Sequence, residues 1–504
     1  MPKAFVTNHS LKYSNETEIK ASYRKLSMKK ELYTFLSVLL LTCSASILAS
    51  QKRSFSSSTC EITGLIAQHT KKAQIGAKVV SLQSSSTLYA HNPLTVHIPA
   101  SNTKLFTAGA ALHILGPSFR YETQFCTDQS LGVSRIGNLY IKGSGDPTLL
   151  SKDLERMVLT LRAKGIREIK GSIIVDSSVF DDQSSAPGWA EGDGPIFDKS
   201  QLRGLLVDHS CISITVKPAH ALHRRPCVQV YPSTHFLALD NQALTLASPT
   251  KQGIATNVTG NNKLRITGKI ALKSAQKLYR IALQNPDIFA GQVVHTLLKK
   301  HGISNRGTVR KGTTPLKGAV LTRHYSKPAH MLIKTMMRKS DNLYADALFK
   351  TMGAHFYGVP GTWAKGKKAM DNFLTKTMKL TPRFSINDGS GLSRTNKISA
   401  TCVVDFLIAM YKTPFKDHFI ATFPVAGTNG SLRNRLTDKT TVGIVKAKTG
   451  SLAGVSSLSG YIFPPSGKNL AFSLLTNKQK GSALPFKKTF EDPLCTLLIK
   501  KHTR

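Results

Sequence analysis

Three short polar motifs stand in one order along this chain and constrain its fold more than any other feature: Ser101-Asn102-Thr103-Lys104, Ser340-Asp341-Asn342 and Lys448-Thr449-Gly450. If they are to meet, the roughly 236 residues between Lys104 and Ser340 must leave the site and return to it, a length no loop of a compact domain requires. The first motif alone says little, because Ser27/Lys30 and Ser274/Lys277 repeat its spacing, and Ser385/Asn387 imitates the second. Context separates the copies. Ser101 follows Pro99-Ala100 at the mouth of an apolar run in which Leu105, Phe106, Ala108, Leu112, Ile114 and Leu115 recur at helical spacing up to Gly116-Pro117. A separation of three places Ser101 and Lys104 on one helix face. Ser274 instead lies in a Lys-rich surface stretch, and Ser27 precedes an apolar leader.

These residue types fit one chemistry. A serine hydroxyl is a weak nucleophile at neutral pH and needs a neighbour that takes its proton, which an amine does once burial or other cations depress its pKa. Lys104 is the candidate base for Ser101. Ser340 can relay a proton to a leaving group, Asn342 can hold an amide, and Lys448-Thr449 can meet a carboxylate. The helix mouth offers the Ser101 N–H to a developing oxyanion, and the strand-like Gly450-Ser451 segment offers a second. Singly, each residue reads as a helix cap, a solvated charge or a turn; together and in order they predict a site for acyl transfer. The G-x-S-x-G elbow of a Ser-His-Asp hydrolase is absent, and His97 and His113 have no link in sequence to the nucleophile. No metal-site spacing, P-loop or dinucleotide fingerprint is visible, so neither metal nor organic cofactor is expected.

A chain of 504 residues exceeds one hydrophobic core and predicts two or three domains. Residues 31 to 49 are apolar, follow Lys29 and Lys30, and end in small residues, the pattern of a signal peptide whose start at Met28 would leave 1–27 untranslated; an uncleaved anchor is the alternative. Residues 51–135 then hold two strands between Gly76 and Ala90 and the Ser101 helix. Residues 136–320 turn to short Val/Ile/Thr runs, such as Ile173 to Val175, Ile212 to Val216 and Leu264 to Ile270. Residues 321–504 hold helices over Met331 to Met352 and Gly366 to Met378, then strands over Ser456 to Phe463 and Asn469 to Leu475. An exported chain would keep Cys60, Cys126, Cys211, Cys227, Cys402 and Cys495, an even set; six cysteines allow fifteen pairings, of which Cys211 with Cys227 across a hairpin is the nearest in sequence. Lys and Arg number 69 against 28 Asp and Glu, a net +41. That field favours a polyanionic neighbourhood, an anionic membrane surface or envelope included. The cations are spread without a basic tract or an aromatic RNA-binding motif, which argues against nucleic acid.

Beyond the three motifs, further stretches carry a resemblance: Gly143-Ser144-Gly145-Asp146-Pro147-Thr148-Leu149, Val175 to Asp181 with Pro187-Gly188-Trp189, Asn387 to Arg394, Pro424-Val425-Ala426-Gly427 and Lys448 to Leu452. They span nearly all of the exported chain, which resembles the type-4 penicillin-binding proteins, D-Ala-D-Ala carboxypeptidase/endopeptidases among the penicillin-interacting serine peptidases. The resemblance implies an α+β fold, a transpeptidase/β-lactamase-like core of antiparallel sheet flanked by helices, with a large strand-rich insertion. It implies hydrolysis of peptidoglycan peptides through an ester at Ser101, acylation by β-lactam antibiotics, and a bacterial periplasmic location. It also implies that Asp176 and Phe180 reach from the insertion toward the cleft and select the substrate's diamino acid. Two positions depart from the family: Asp346 stands where Glu is usual, and His209-Ser210 where Asn is usual near the Asp208 turn. The rivals are a serine β-lactamase, disfavoured because no Glu stands between Asn342 and Glu491, and a non-catalytic basic wall-binding scaffold, which would not need the polar site residues.

Overall fold

Gln74–Ser81 opens the core because its alternation lays one face on a helix layer and pairs its edges in register, Lys78 with Ala90 on one side and with Ser473 on the other. The resulting sheet is antiparallel and runs Thr87–His91, Gln74–Ser81, Leu470–Asn477, Val455–Ile462, Val445–Leu452. Every residue of Val455–Ile462 and Leu470–Asn477 is buried, so helices cover both faces of the centre. The computed structural model describes residues 61–502, apart from 191–200, 235, 249–252, 260–261, 382 and 479–485. The signal-peptide segment, Cys43 and Cys60 lie outside the described residues. Residues 61–67 are helical and fall in a separate unit, Met1–Ala67; all that follows concerns Gln68–Arg504.

The helix Thr103–Ile114 runs through the core, with Thr103 to Leu112 all buried. It is apolar around most of its girth, as a helix packed on all sides must be, and Phe106 stacks on Phe406 at 4.5 Å between centroids. Glycine at 109 makes room for that ring, since any Cβ there would crowd Phe406 Cζ. Ser399 caps the partnering helix Ala400–Tyr411 by accepting from Cys402 N.

One expected helix is two. The run from Met331 to Met352 breaks at Ser340, whose backbone is left-handed (φ 58°), giving helices Ala329–Lys339 and Asn342–Tyr357. The break falls in the polar run Arg338 to Asn342, where the Asp341 carboxylate accepts from Tyr344 N at 3.2 Å and starts a new helix.

The inserted region has its own core, built on a mixed sheet in the order Val309–Lys311, Ile173–Asp176, Leu139–Lys142, Glu122–Thr127, Ala319–Tyr325. Because Glu122–Thr127 pairs with Ala319–Tyr325, this sheet includes residues on both sides of 136 and 320. Helices Ser151–Ala163 and Pro286–Lys300 pack against it, beside smaller sheets centred on Cys211–Lys217, Lys263–Ala271 and Glu168–Ile169.

The pairing nearest in sequence, Cys211 with Cys227, is not formed; both are free thiols, as are Cys126, Cys402 and Cys495. Register explains why. Cys227 lies opposite Lys217, at the far end of the strand that Cys211 begins. Six residues of strand separate the two positions by about 20 Å, well beyond the span of a disulfide. Cys227 is exposed, so Cys227→Ser should leave Tm unchanged in a thermal melt under non-reducing conditions; a drop of several degrees would reveal a bridge and contradict this geometry.

Candidate active site

Ser101 sits in a single 3-10 turn, Ala100–Asn102, ahead of the helix that carries Lys104. The preceding residue, Ala100, has φ 48°, in the left-handed region that only glycine enters without strain. Its carbonyl lies so close to Gly391, itself at φ 87°, that any side chain at 391 would collide with it. The nucleophile turn is thus clamped against the 387–394 segment.

Lys104 is fully buried, and its amine has three oxygens around it: Ser101 Oγ at 3.1 Å, Asn342 Oδ1 at 2.6 Å and the Ser390 carbonyl at 2.6 Å. Two of these can only accept. An uncharged Lys104 would spend its two N–H groups on Asn342 and Ser390, leaving its lone pair directed at the Ser101 hydroxyl. The charged form instead donates to all three. The same geometry therefore serves both sides of a proton transfer between Ser101 and Lys104.

The second pair mirrors the first. Lys448 Nζ, also fully buried, donates to Ser340 Oγ at 2.8 Å and to its neighbour's carbonyl, Thr449 O, at 2.9 Å. Burial above all, then the cations of Lys104 and Lys487, hold the Lys448 amine well below the ordinary lysine range. Thr449 Oγ1 donates to Ser431 Oγ at 2.7 Å, in a turn that lies outside the three motifs. Lys448, Thr449, Gly450 and Ser451 occupy the strand Val445–Leu452, which forms one edge of the core sheet. Gly450 faces the nucleophile turn: a Cβ there would collide with Ser457 Oγ and press on Pro99 O, 2.8 Å away, and the Ser101 nitrogen, 3.1 Å away. Ser457 in turn donates to Pro99 O at 2.8 Å, tying this sheet to the helix mouth.

Beneath the two amines lies a carboxyl layer, legible in sequence only as the Asn387-Asp388-Gly389-Ser390-Gly391 string. Asp346 Oδ1 accepts from Gly389 N and Ser390 N, both at 2.9 Å, and so aims the Ser390 carbonyl at Lys104. Complete burial, reinforced by repulsion from Asp388, pushes the Asp346 carboxyl well above its usual range despite the nearby Lys104. Asp388 accepts from Gly391 N, Ser393 N, Asn396 Nδ2 and Trp189 Nε1 at 2.7 to 2.9 Å.

The structure does not bring Asp176 and Phe180 into this group. Asp176 is buried, with its oxygens taken by Ser178 N at 3.1 Å and Thr314 N at 2.7 Å, so it shapes the insertion's own loops. Phe180 is buried against Gly145, in the apolar cluster shared with the core helices. Nearby, the Lys350 amine donates to Asp181 Oδ1 at 2.5 Å and to Gln183 O at 2.7 Å, and lies 4.8 Å from the Trp363 ring centre. His97 and His113 are turned to backbone carbonyls, of Thr95 and Gly109.

A half-buried serine on a fully buried lysine at the mouth of a core helix, faced by a second serine-lysine pair and a sheet edge, defines a serine enzyme of the penicillin-recognising class. The profile described as the D-Ala-D-Ala carboxypeptidase 3 (S13) family matches residues 59–498, and the chain belongs to that family. It is accordingly a hydrolase of the D-Ala-D-Ala carboxypeptidase type. A D-alanyl-D-alanine carboxypeptidase of Actinomadura sp. (strain R39) is 32% identical over 424 residues, covering 81% of this chain and 78% of the relative. DacB, a D-alanyl-D-alanine carboxypeptidase of Haemophilus influenzae, is 30% identical over 80% of this chain and 85% of its own. The crystal structure of penicillin binding protein 4 (dacB) from H. influenzae superposes with a TM-score of 0.77 at 28% identity, over 87% of this chain and 99% of that one. A second crystal structure of that protein, complexed with a β-lactam, gives 0.70 at 26% identity over 88% and 97%. The fold is the α+β one expected.

The charges of Lys104 and Lys487 disfavour a proton on Lys448, whose amine is held below its ordinary range. Turnover should fall as pH drops and the Lys448 amine that bonds Ser340 is protonated. Lys487→Ala removes a like charge, favours the protonated form of Lys448 and so moves this acid limb to higher pH. A pH–rate profile of the variant that superposes on the parent's would remove Lys487 from the site's electrostatics.

Proposed function

We propose that the chain cleaves the D-Ala-D-Ala peptide bond of peptidoglycan peptides, at chain ends or in crosslinks, through an ester at Ser101. The observation that carries this reading is the Lys104 amine, 3.1 Å from Ser101 Oγ with its other two hydrogens already committed to acceptors. Ser101 Oγ bonds to the carbonyl carbon of the penultimate residue as its proton passes to Lys104. The oxyanion forms beside the Ser101 N–H, with a second N–H from the Gly450-Ser451 edge. The C–N bond then breaks. The departing amine takes a proton through Ser340, whose hydroxyl oxygen is already held by Lys448 at 2.8 Å. Asn342 holds the substrate amide, and Lys448-Thr449 meets the terminal carboxylate. Water then hydrolyses the ester with the same groups in reverse.

β-Lactams would acylate the same serine, their amide standing where the scissile bond lies. Slow release fits the assignment of Glu491, the sole Glu downstream of Asn342: it is fully buried and bound by Ser456 Oγ at 2.6 Å and Arg435 Nη2 at 2.8 Å. The substrate puts the enzyme outside the cytoplasmic membrane, in the periplasm, and segment 28–50 would direct it there. The measurement that tests the reading is the intact mass of residues 51–504 after exposure to benzylpenicillin. A single stable adduct is expected, absent in Ser101→Ala and slowed by about 10²–10⁴-fold in Lys104→Ala, the range of a lost general base. Antibiotic consumption without an adduct would instead favour the β-lactamase, and a folded protein with neither would favour the scaffold.

A further inference from the structure

The Ser340-Asp341-Asn342 bend is held by a group that none of the three motifs contains. Ser340 and Asn342 offer oxygens to Lys448 and Lys104, while Asp341 between them has partners of its own. Its Oδ1 accepts from Tyr344 N at 3.2 Å, starting the helix on which Asn342 stands, and its Oδ2 lies 2.8 Å from His209 Nε2. An ionised carboxylate has no proton to give, so Nε2 carries the hydrogen in this contact whether the ring is neutral or charged.

His209 is far away in sequence and belongs to the inserted region. It sits in the turn Asp208-His209-Ser210, whose φ angles of 51°, 65° and 53° are all left-handed. Each such residue without a glycine costs about 1 kcal/mol or more, so the turn persists only because its surroundings fix it. Asp208 N donates to Leu149 O at 3.0 Å, Ser151 N donates to Asp208 Oδ1 at 3.2 Å, and Leu283 N donates to Ser210 O at 2.9 Å. The imidazole is therefore delivered on a rigid support, with Tyr344's ring 5.5 Å away between centroids. The charges acting on Asp341 are those of His209 and Lys104, and His209 acts on Asp208 as well. Burial works to raise the Asp341 carboxyl, yet His209, the Tyr344 N–H and Lys104 together bring it below its ordinary value.

We propose that His209 is a positioning residue of the acyl-transfer site: by holding Asp341 it sets Ser340 and Asn342 against Lys448 and Lys104. The inference rests on the Ser101 reading above. The backbone of the bend is closed by Asp341 N donating to Met336 O at 3.0 Å, while the Asp341 carboxylate, which stands between Ser340 and Asn342, is held by the Tyr344 N–H and by His209. A displacement of about 1 Å in such a constellation is enough to slow the chemistry substantially.

The test compares His209→Ala with His209→Gln, since glutamine's amide reaches about as far as Nε2 and donates without titrating. Both carry a Cβ into the same left-handed backbone, so strain cancels in the comparison. Benzylpenicillin acylation would be followed by stopped flow to separate the dissociation constant of the initial complex from the acylation rate constant, beside thermal melts. His209→Ala should lower the acylation rate constant by about tenfold or more, the worth of one hydrogen bond to a charged group, with the dissociation constant little changed. His209→Gln should restore most of that rate. Wild-type acylation in His209→Ala, with or without a loss of Tm, would overturn the proposal, as would equal losses in both variants. Should the alanine variant not fold, His209→Asn, which tolerates left-handed backbone but retracts the donor, gives the same comparison. A parent enzyme that is not acylated at Ser101 would instead sink the Ser101 reading and this inference with it.

Discussion

Everything in this site is arranged around one buried amine. Lys104 lies at the start of a largely apolar helix that is buried from Thr103 to Leu112, where an amine without partners would cost several kcal/mol. The three oxygens that offset this cost come from three places in the chain: the same helix mouth, the start of the helix after the insertion, and the turn at Ser390. No two of them can be placed without the fold that joins their elements. Losing one oxygen leaves a buried donor unsatisfied, at about 1–3 kcal/mol. The packing of Phe106 on Phe406, the glycines at 391 and 450, and the clamp of Ser457 on Pro99 all act to keep this meeting point in register.

Two amines so close together oppose each other's charge, and the layer under them shows how the fold tolerates it. Lys448 responds by a depressed pKa, which is also what a proton acceptor needs near neutrality. Asp346 is poised between opposite influences, burial and Asp388 raising its pKa, Lys104 and two backbone N–H groups lowering it. Replacing the family's usual Glu by the shorter Asp at 346 still lets one oxygen reach both Gly389 N and Ser390 N. The function of that position is thus the aim of the Ser390 carbonyl, one step removed from the chemistry.

What was legible in the sequence follows from the range of the forces involved. The pairing of Ser101 with Lys104 is local, a matter of helical spacing, and could be read directly. The joining of Ser340, Asn342, Lys448 and Thr449 to it was legible only because their order and context were distinctive. Contacts set by strand register or by tertiary approach left no such trace: the distance between Cys211 and Cys227 depends on which residue pairs with Lys217. Helical spacing resumes on both sides of the polar run Arg338 to Asn342, so the break in the helix rests on Asp341's capping contact, which spacing does not show. Asp176 and Phe180 were assigned by resemblance alone, and their side chains are spent on backbone N–H groups and on packing. His209 was visible as a departure from the family at its turn, but its contact with Asp341 was not.

The insertion has its own hydrophobic core, yet several of its residues bond polar groups that stand on the other core. Trp189 donates to Asp388, Pro187 O accepts from Ser393 Oγ at 2.6 Å, and Asp181 accepts from Lys350. His209 reaches Asp341 in the same manner. The groups of the three motifs all stand on the core, where packing holds them most tightly, while the residues that hold those groups are shared with the insertion. That division separates stability from rate. A half-buried polar residue of the insertion such as His209 has little apolar area to lose, so its replacement should register in the rate of acylation well before it registers in the melting temperature.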